Sequence, residues 1–318
     1  MVQFPGGQLP PDVLVVGEAL VDVVHRADGS VDERPGGGPA NVALSLARLD
    51  RGARLLTSLG ADERGAAVRS WLEASGVVVD ARPLVERTST ATARIGADGS
   101  AEYEFSISWA LDAGGAAADL ALHVGSISSV LGPGADEVSR LVDSHRGRCL
   151  LTYDPNIRPS LVDDPADTRS RVMSLIGRVD VVKASDEDVR WLHPGESLEA
   201  VARDWLTLGP RLVVITAGAH GALASTPHFK VAVPAALVEV VDTVGAGDTF
   251  MGALIDALLD EGAHGPRARD VLMSLSEERA SSIVGVCAGA AAITVSRPGA
   301  DPPTRRELAA SWQTPPQG

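Results

Sequence analysis

With 318 residues, 45% of them hydrophobic but only 3% aromatic, the chain can bury a large core, made of small and branched aliphatic side chains. Forty-two acidic against 28 basic residues leave a formal net charge of −14, which argues against a nucleic-acid partner, because phosphate backbones are bound by clustered cations. The start MVQFPGGQLPPD lacks the make-up of a signal peptide, and the longest mostly apolar stretch, 283–295, is too short to span a bilayer, so a soluble cytoplasmic protein with no membrane partner is expected.

Short apolar runs alternate with helical periodicity along nearly the whole chain. That pattern predicts an α/β fold with a central, mainly parallel β-sheet sandwiched by helices. Continuous apolar runs, as in strands buried on both faces, fall at 13–16, 54–58, 121–124, 149–153, 179–182 and 212–216. Helical spacing appears at 40–48, 64–75, 136–145, 198–206, 249–259 and 272–292. Two stretches, 19–33 and 88–105, break the alternation: they read as strands with turns at Asp28-Gly29 and Asp98-Gly99 and no long helix between them. Residues 220–233 read as a late hairpin, and the Pro-rich end after Trp312 as a frayed tail. Cys149 and Cys287 sit in apolar surroundings and read as buried free thiols.

The strongest local signal is the run Asp242-Thr243-Val244-Gly245-Ala246-Gly247-Asp248, followed at once by a helical pattern. Glycines there let backbone N–H groups crowd together at a helix N-terminus, which makes an anion site. Asp248 has two readings. It is a base taking a proton from an attacking hydroxyl while the amides of Gly245, Ala246 and Gly247 hold a phosphoryl group, or it is a helix N-cap worth about 1 kcal/mol. A second run, Gly36-Gly37-Gly38-Pro39-Ala40-Asn41, also leads into a helix; Asn41 offers both donor and acceptor to hydroxyls, or merely ends a flexible loop. Neither lysine, Lys183 or Lys230, lies in a G-x-x-x-x-G-K-[ST] frame, no G-x-G-x-x-G follows the first strand, the seven histidines have no metal-ligand spacing, and no G-x-S-x-G elbow is present. A P-loop enzyme, a dinucleotide-binding domain and a serine hydrolase are thereby disfavoured.

Together the two glycine runs, in this order, resemble the signatures of the ribokinase-like (PfkB) carbohydrate kinases. Gly17-Glu18-Ala19-Leu20-Val21-Asp22, Asp154-Pro155-Asn156-Ile157-Arg158-Pro159, Thr216-Ala217-Gly218-Ala219-His220-Gly221 and Ser296-Arg297-Pro298-Gly299-Ala300-Asp301 extend the resemblance over residues 12–305, most closely to the fructokinase branch. The resemblance implies one kinase domain over 1–318, with a small β-sheet lid inserted at 19–33 and 88–107. It implies transfer of the γ-phosphate of MgATP to a sugar hydroxyl, fructose first, with 2-keto-3-deoxygluconate, ribose or a nucleoside as other acceptors and a non-catalytic sugar or nucleotide sensor as the other class of function. Asp248 becomes the base and Gly245, Ala246 and Gly247 its anion hole. Asp22, Gly37, Gly38, Asn41 and Arg158 match substrate-binding positions; Lys183, Ser185, Thr216, Gly218 and Gly221 fall on the nucleotide side. Asp188 is implied for Mg²⁺, Asp242 and Val244 for a monovalent cation such as K⁺, and the lid for pairing into a homodimer.

Three positions depart from the pattern. The usual N-x-x-E is Ser185-Asp186-Glu187-Asp188, Ala288 stands where many relatives have Asn, and Phe105-Ser106-Ile107-Ser108-Trp109 lacks the lid arginine of many fructokinases. Trp109 either stacks on the sugar or closes the lid against the core.

Overall fold

The computed structural model describes residues 13–96 and 101–311. The expectations for the N-terminal start, the Asp98-Gly99 turn and the Pro-rich end lie outside those residues. In chain order the elements are β1 (Val13–Val16), β2 (Leu20–His25), β3 (Val31–Gly36), α1 (Gly38–Arg48), β4 (Ala53–Ser58), α2 (Glu63–Glu73), β5 (Val78–Arg82), β6 (Ser89–Ile95) and β7 (Ala101–Ser106). Next come β8 (Ala121–Gly125), α3 (Gly134–His145), β9 (Leu150–Asp154), α4 (Pro165–Ile176), β10 (Val181–Ser185), α5 (Asp186–Leu192), α6 (Leu198–Leu208) and β11 (Leu212–Thr216). The chain closes with β12 (Ala222–Ser225), β13 (Lys230–Val233), α7 (Ala246–Asp260), α8 (Ala268–Ser274), α9 (Glu277–Val295) and α10 (Arg305–Ser311).

Nine strands form one sheet in the order β13-β12-β11-β10-β9-β8-β1-β4-β5. The seven from β11 to β5 run parallel, and β12 and β13 continue the edge antiparallel. β1 shows why an all-apolar strand is needed in the middle. Successive side chains point to opposite faces, so Val13 and Val15 pack with α1, α7 and α9, while Leu14 and Val16 pack with the layer of α3, α4, α5 and α6. Each fully buried Val or Leu contributes about 1.5–3 kcal/mol relative to exposure. The apolar α9 is long enough by composition to cross a membrane, but its Ile283, Val284, Cys287 and Ala290 are buried in the core shared with α7.

The two helix-poor stretches pair into a separate four-stranded sheet, β3-β2-β6-β7. Its base is pinned to the main body by polar ties. Asp62, the N-cap of α2, accepts from the Thr88 amide at 2.9 Å and hydroxyl at 2.6 Å, and Ser89 Oγ donates to the Ser108 carbonyl at 3.1 Å. Trp109 closes against the core: it is 4% exposed, and its Nε1 donates to the Ser128 carbonyl at 3.0 Å.

Helices α4, α5 and α10 were not expected, and two expected elements have other bounds. The helix read at 272–292 is two, because Leu275 turns extended (ψ 131°) and Ser276 caps α9 by accepting from the Arg279 amide. The strand read at 179–182 is β10, starting two residues later. Asp180 is buried before it, accepting from the Leu151 amide at 3.0 Å and pairing with Arg269 at 2.6 Å.

Candidate active site

The parallel strands β1, β8, β9, β10 and β11 all end at one side of the sheet, the edge where open α/β sheets bind ligands. There a cleft of about 1400 Å³ lies between the main sheet and the four-stranded lid. Both glycine runs open onto it.

α7 begins on Gly245, whose φ of +75° is left-handed, a conformation a side chain would strain. A Cβ there would also lie 2.6 Å from the Ala300 Cβ, so the first glycine run packs directly on the Ser296–Asp301 segment. No side chain caps α7. The amides of its first turn have no intrahelical acceptor and, with the helix dipole, face an anion favourably. Asp248 is the third helical residue and caps nothing, which decides between its two readings from sequence as far as capping goes. Its Oδ2 accepts from Asn41 Nδ2 at 2.8 Å, from α1 across the cleft floor. Burial raises the Asp248 pKa, opposed by the Asn41 hydrogen bond and the charges of Lys183 and Arg158.

Gly38 lets these groups meet. A Cβ on it would sit 2.9 Å from Asn156 Nδ2 and 3.5 Å from Asp248 Oδ1. Gly37, at φ +107°, passes against the Glu18 carbonyl, 2.8 Å from where its Cβ would be. Asp22 lines the cleft from β2, with its Oδ2 only 2.4 Å from where a Cβ on Gly36 would stand. Burial pushes its carboxyl up to about 6, with Arg158 opposing and Asp248 adding. Arg158 is exposed at the cleft wall, where its Nη1 donates to Asn156 Oδ1 at 2.5 Å.

Lys183 is buried in β10, its Nζ 2.8 Å from Asp154 Oδ2 and 3.0 Å from where a Cβ on Gly247 would lie. Burial disfavours its charge, but Asp154, then Asp248 and Asp188, more than compensate and raise its pKa. A fixed cation therefore sits at the N-terminus of α7. Asn41 Oδ1 and Asp154 Oδ1 are buried with no hydrogen-bond partner.

The remaining predicted residues divide. Ser185, Asp188, Thr216 and Gly218 line the cleft, as do Asp242, Val244, Gly245 and Gly247, with Ala246 between the last two. Ser185 and Asp188 form a capping box on α5: Asp188 Oδ2 accepts from the Ser185 amide at 2.9 Å, and its Oδ1 accepts from the Ile157 amide at 2.7 Å. Asp242 staples its own loop, accepting from the amides of Val244 at 3.0 Å and Gly299 at 2.8 Å. Gly221 is not in the cleft wall. Its φ of +88° and the Val233 carbonyl, 2.1 Å from where a Cβ would be, make it a strand-packing glycine at the start of β12. Sequence reasoning gave no part to Asn156, Ser126, Asp154 or Glu18. The available signals were the D-P-N-x-R-P run, the G-E-A-L-V-D stretch and a lysine set inside an apolar strand.

A fixed cation, helix amides with no side-chain cap and a buried carboxylate thus meet at one cleft of about 1400 Å³. A family model for "pfkB family carbohydrate kinase" matches residues 10–306. A fructokinase of Rhizobium leguminosarum bv. trifolii is 35% identical over 264 residues, 77% of this chain and 79% of the relative. Fructokinase-1 of Oryza sativa subsp. japonica is 32% identical over 322 residues, covering 93% and 96%. Among solved structures, a fructokinase double mutant from Vibrio cholerae O395, in fructose-, ADP- and potassium-bound form, superposes with a TM-score of 0.81 at 27% identity over 96% of this chain and 99% of that one. The chain belongs to the pfkB family of carbohydrate kinases.

Proposed function

We propose that this kinase moves the γ-phosphoryl group of ATP to a hydroxyl of fructose, with Asp248 as the base. The observation that carries the reading is the setting of the Asp248 carboxylate: buried, free of any capping duty, and held by Asn41 at 2.8 Å beside the amides of α7. The ionised carboxylate takes the proton of the acceptor hydroxyl. That oxygen forms a bond to the γ-phosphorus as the bond to the bridging oxygen of ADP breaks, and the proton remains on Asp248. The first-turn amides at Gly245, Ala246 and Gly247, with Lys183, stabilise charge on the transferred group. Asp22, Gly37, Gly38, Asn41 and Arg158 hold the acceptor; Ser185, Thr216 and Gly218 form the nucleotide side. Lid closure excludes water, the competing acceptor.

The described residues hold no group of three acidic, His or Cys side chains fit to cage a metal. Both Asp188 oxygens accept from backbone amides, so Asp188, with Asp186 and Glu187 on the same cleft wall, would face a Mg²⁺ carried on nucleotide phosphates through water rather than bind it directly. Such an ion would supply positive charge to offset that of the phosphates. Asp242 and Val244 are the proposed neighbours of a monovalent cation, a reading supported by the potassium in the Vibrio cholerae relative.

Fructose is favoured by the fructokinase relatives. In the lid, Ala91, Ala93, Phe105 and Ile107 line the cleft, and the arginines there, Arg26 and Arg34, both pair with Asp32, while Arg94 is exposed and pairs with Glu104 at 3.6 Å. We further propose that the chain works as one kinase unit in the cytoplasm, and that two copies pair through the edge strands β3 and β7 of the lid. The test is ADP release with Mg²⁺ across fructose, other hexoses, ribose, 2-keto-3-deoxygluconate and nucleosides. Fructose gives the largest acceleration; no acceleration by any acceptor would sink the reading in favour of a sensor.

A further inference from the structure

Glu18 has no part in the mechanism above, yet it is 3% exposed on the cleft floor at the end of β1. Its Oε2 accepts from the Ser128 amide at 3.2 Å, and the nearby Ser126 and Ser128 hydroxyls favour its ionised form. Both serines belong to the turn that follows β8. Ser126 holds φ +57° and ψ −159°, a conformation that residues with a side chain rarely adopt and that persists only where surroundings enforce it. Ser126 lines the cleft, and its Cβ lies 3.4 Å from where a Cβ on Gly38 would be, beside Asn156 and Asp248. The same turn takes the Trp109 hydrogen bond from the base of the lid. A fold-supporting carboxylate would serve as well on any buried turn; this one braces a strained residue of the acceptor wall. Burial pushes the Glu18 carboxyl up to about 7, so near neutrality it can donate as well as accept.

We propose that Glu18 is a positioning residue for the acceptor, holding the left-handed Ser126 turn against the sugar beside Asp248. The inference rests on the sugar-kinase reading, so its test separates acceptor binding from turnover. Steady-state kinetics with fructose and MgATP would be measured for Glu18→Ala, Glu18→Gln, Ser126→Ala and the double variant Glu18→Ala/Ser126→Ala. Glu18→Ala raises the fructose KM about tenfold, the size of one lost hydrogen bond, while kcat and the ATP KM stay within about twofold. Glu18→Gln keeps the side-chain length and an oxygen that accepts from the Ser128 amide, and stays close to wild type. In the Ser126→Ala background, Glu18→Ala adds no further rise, because the two residues act as one unit.

An unchanged fructose KM in Glu18→Ala, an equal loss with both substrates, or additive effects in the double variant would overturn the proposal. If Glu18→Ala fails to fold, Glu18→Gln and the shorter Glu18→Asp decide: a wild-type KM for Gln and a raised one for Asp support it, and equal values overturn it. A wild-type enzyme with no acceptor-dependent ADP release would overturn the kinase reading itself, and this inference with it.

Discussion

Asp188 and Asp248 occupy the same place, the third residue of a helix whose N-terminus faces the cleft, and they do opposite things. α5 starts on Ser185, whose hydroxyl and amide turn Asp188 back onto the backbone; with the Ile157 amide, both its oxygens are engaged. α7 starts on Gly245, which has no side chain to complete such a box. Asp248 is left to Asn41 and the cavity. A carboxylate in the first turn is thus structural where the cap is serine. Where the cap is a left-handed glycine, the same carboxylate is free for chemistry. The comparison also explains why Ser185-x-x-Asp188 can replace the family's N-x-x-E without loss of the helix start: the shorter acid reaches the cap amide.

The largest way to disturb this balance is to remove the cation between the two helix starts. Lys183→Met leaves Asp154 buried without its partner, which costs about 3–5 kcal/mol of stability, and Asp154→Asn/Lys183→Met recovers part of it; calorimetric melting of the two variants checks this. A Gly245→Val change sharpens the contrast in the caps. It imposes a side chain at φ +75° against Ala300, and turnover falls about 10²-fold as the amides shift, read by acceptor-dependent ADP release. Asp188→Ala costs about 1 kcal/mol in thermal or denaturant unfolding, with a much smaller change in turnover than any substitution at Asp248. The smallest effect is on pH. Asp22 accepts most strongly from sugar hydroxyls when ionised, and burial pushes its carboxyl up to about 6. The kcat/KM for the acceptor therefore falls as pH drops through that value, and Asp22→Asn flattens this limb of the profile.

Much of the architecture was legible because the physics is local. The continuous apolar run Val13–Val16 can only be a strand covered on both faces, and the alternation in the lid stretches fits strands with one face in the cleft. What escaped depends on long-range partners. α4 carries its apolar residues mainly in its last turns, so its periodicity is weak; the Asp164-Pro165 cap was the better sign. The apolar run of β10 stops before Lys183, because a charge inside a strand is tolerable only with Asp154 of the next strand beside it. The positions of Asp248, Asn41, Gly38 and Asp22 could be read from the two glycine runs and the G-E-A-L-V-D stretch. The roles of Asn156 and Ser126 could not, since a positive φ at a residue with a side chain leaves no local mark in the sequence. Gly221 misled for a related reason: a positive-φ glycine after a strand marks a tight turn whether or not a ligand lies nearby.

The central claim is that the Asp248 carboxylate meets the acceptor hydroxyl rather than the helix it sits in. The most direct measurement is acceptor-dependent ADP release by Asp248→Asn, taken with its melting temperature and its affinity for the nucleotide. The account predicts a rate about 10²–10⁴-fold below wild type, with melting and nucleotide affinity nearly unchanged. A rate within about threefold of wild type, or a loss of rate matched by a loss of fold, would contradict it.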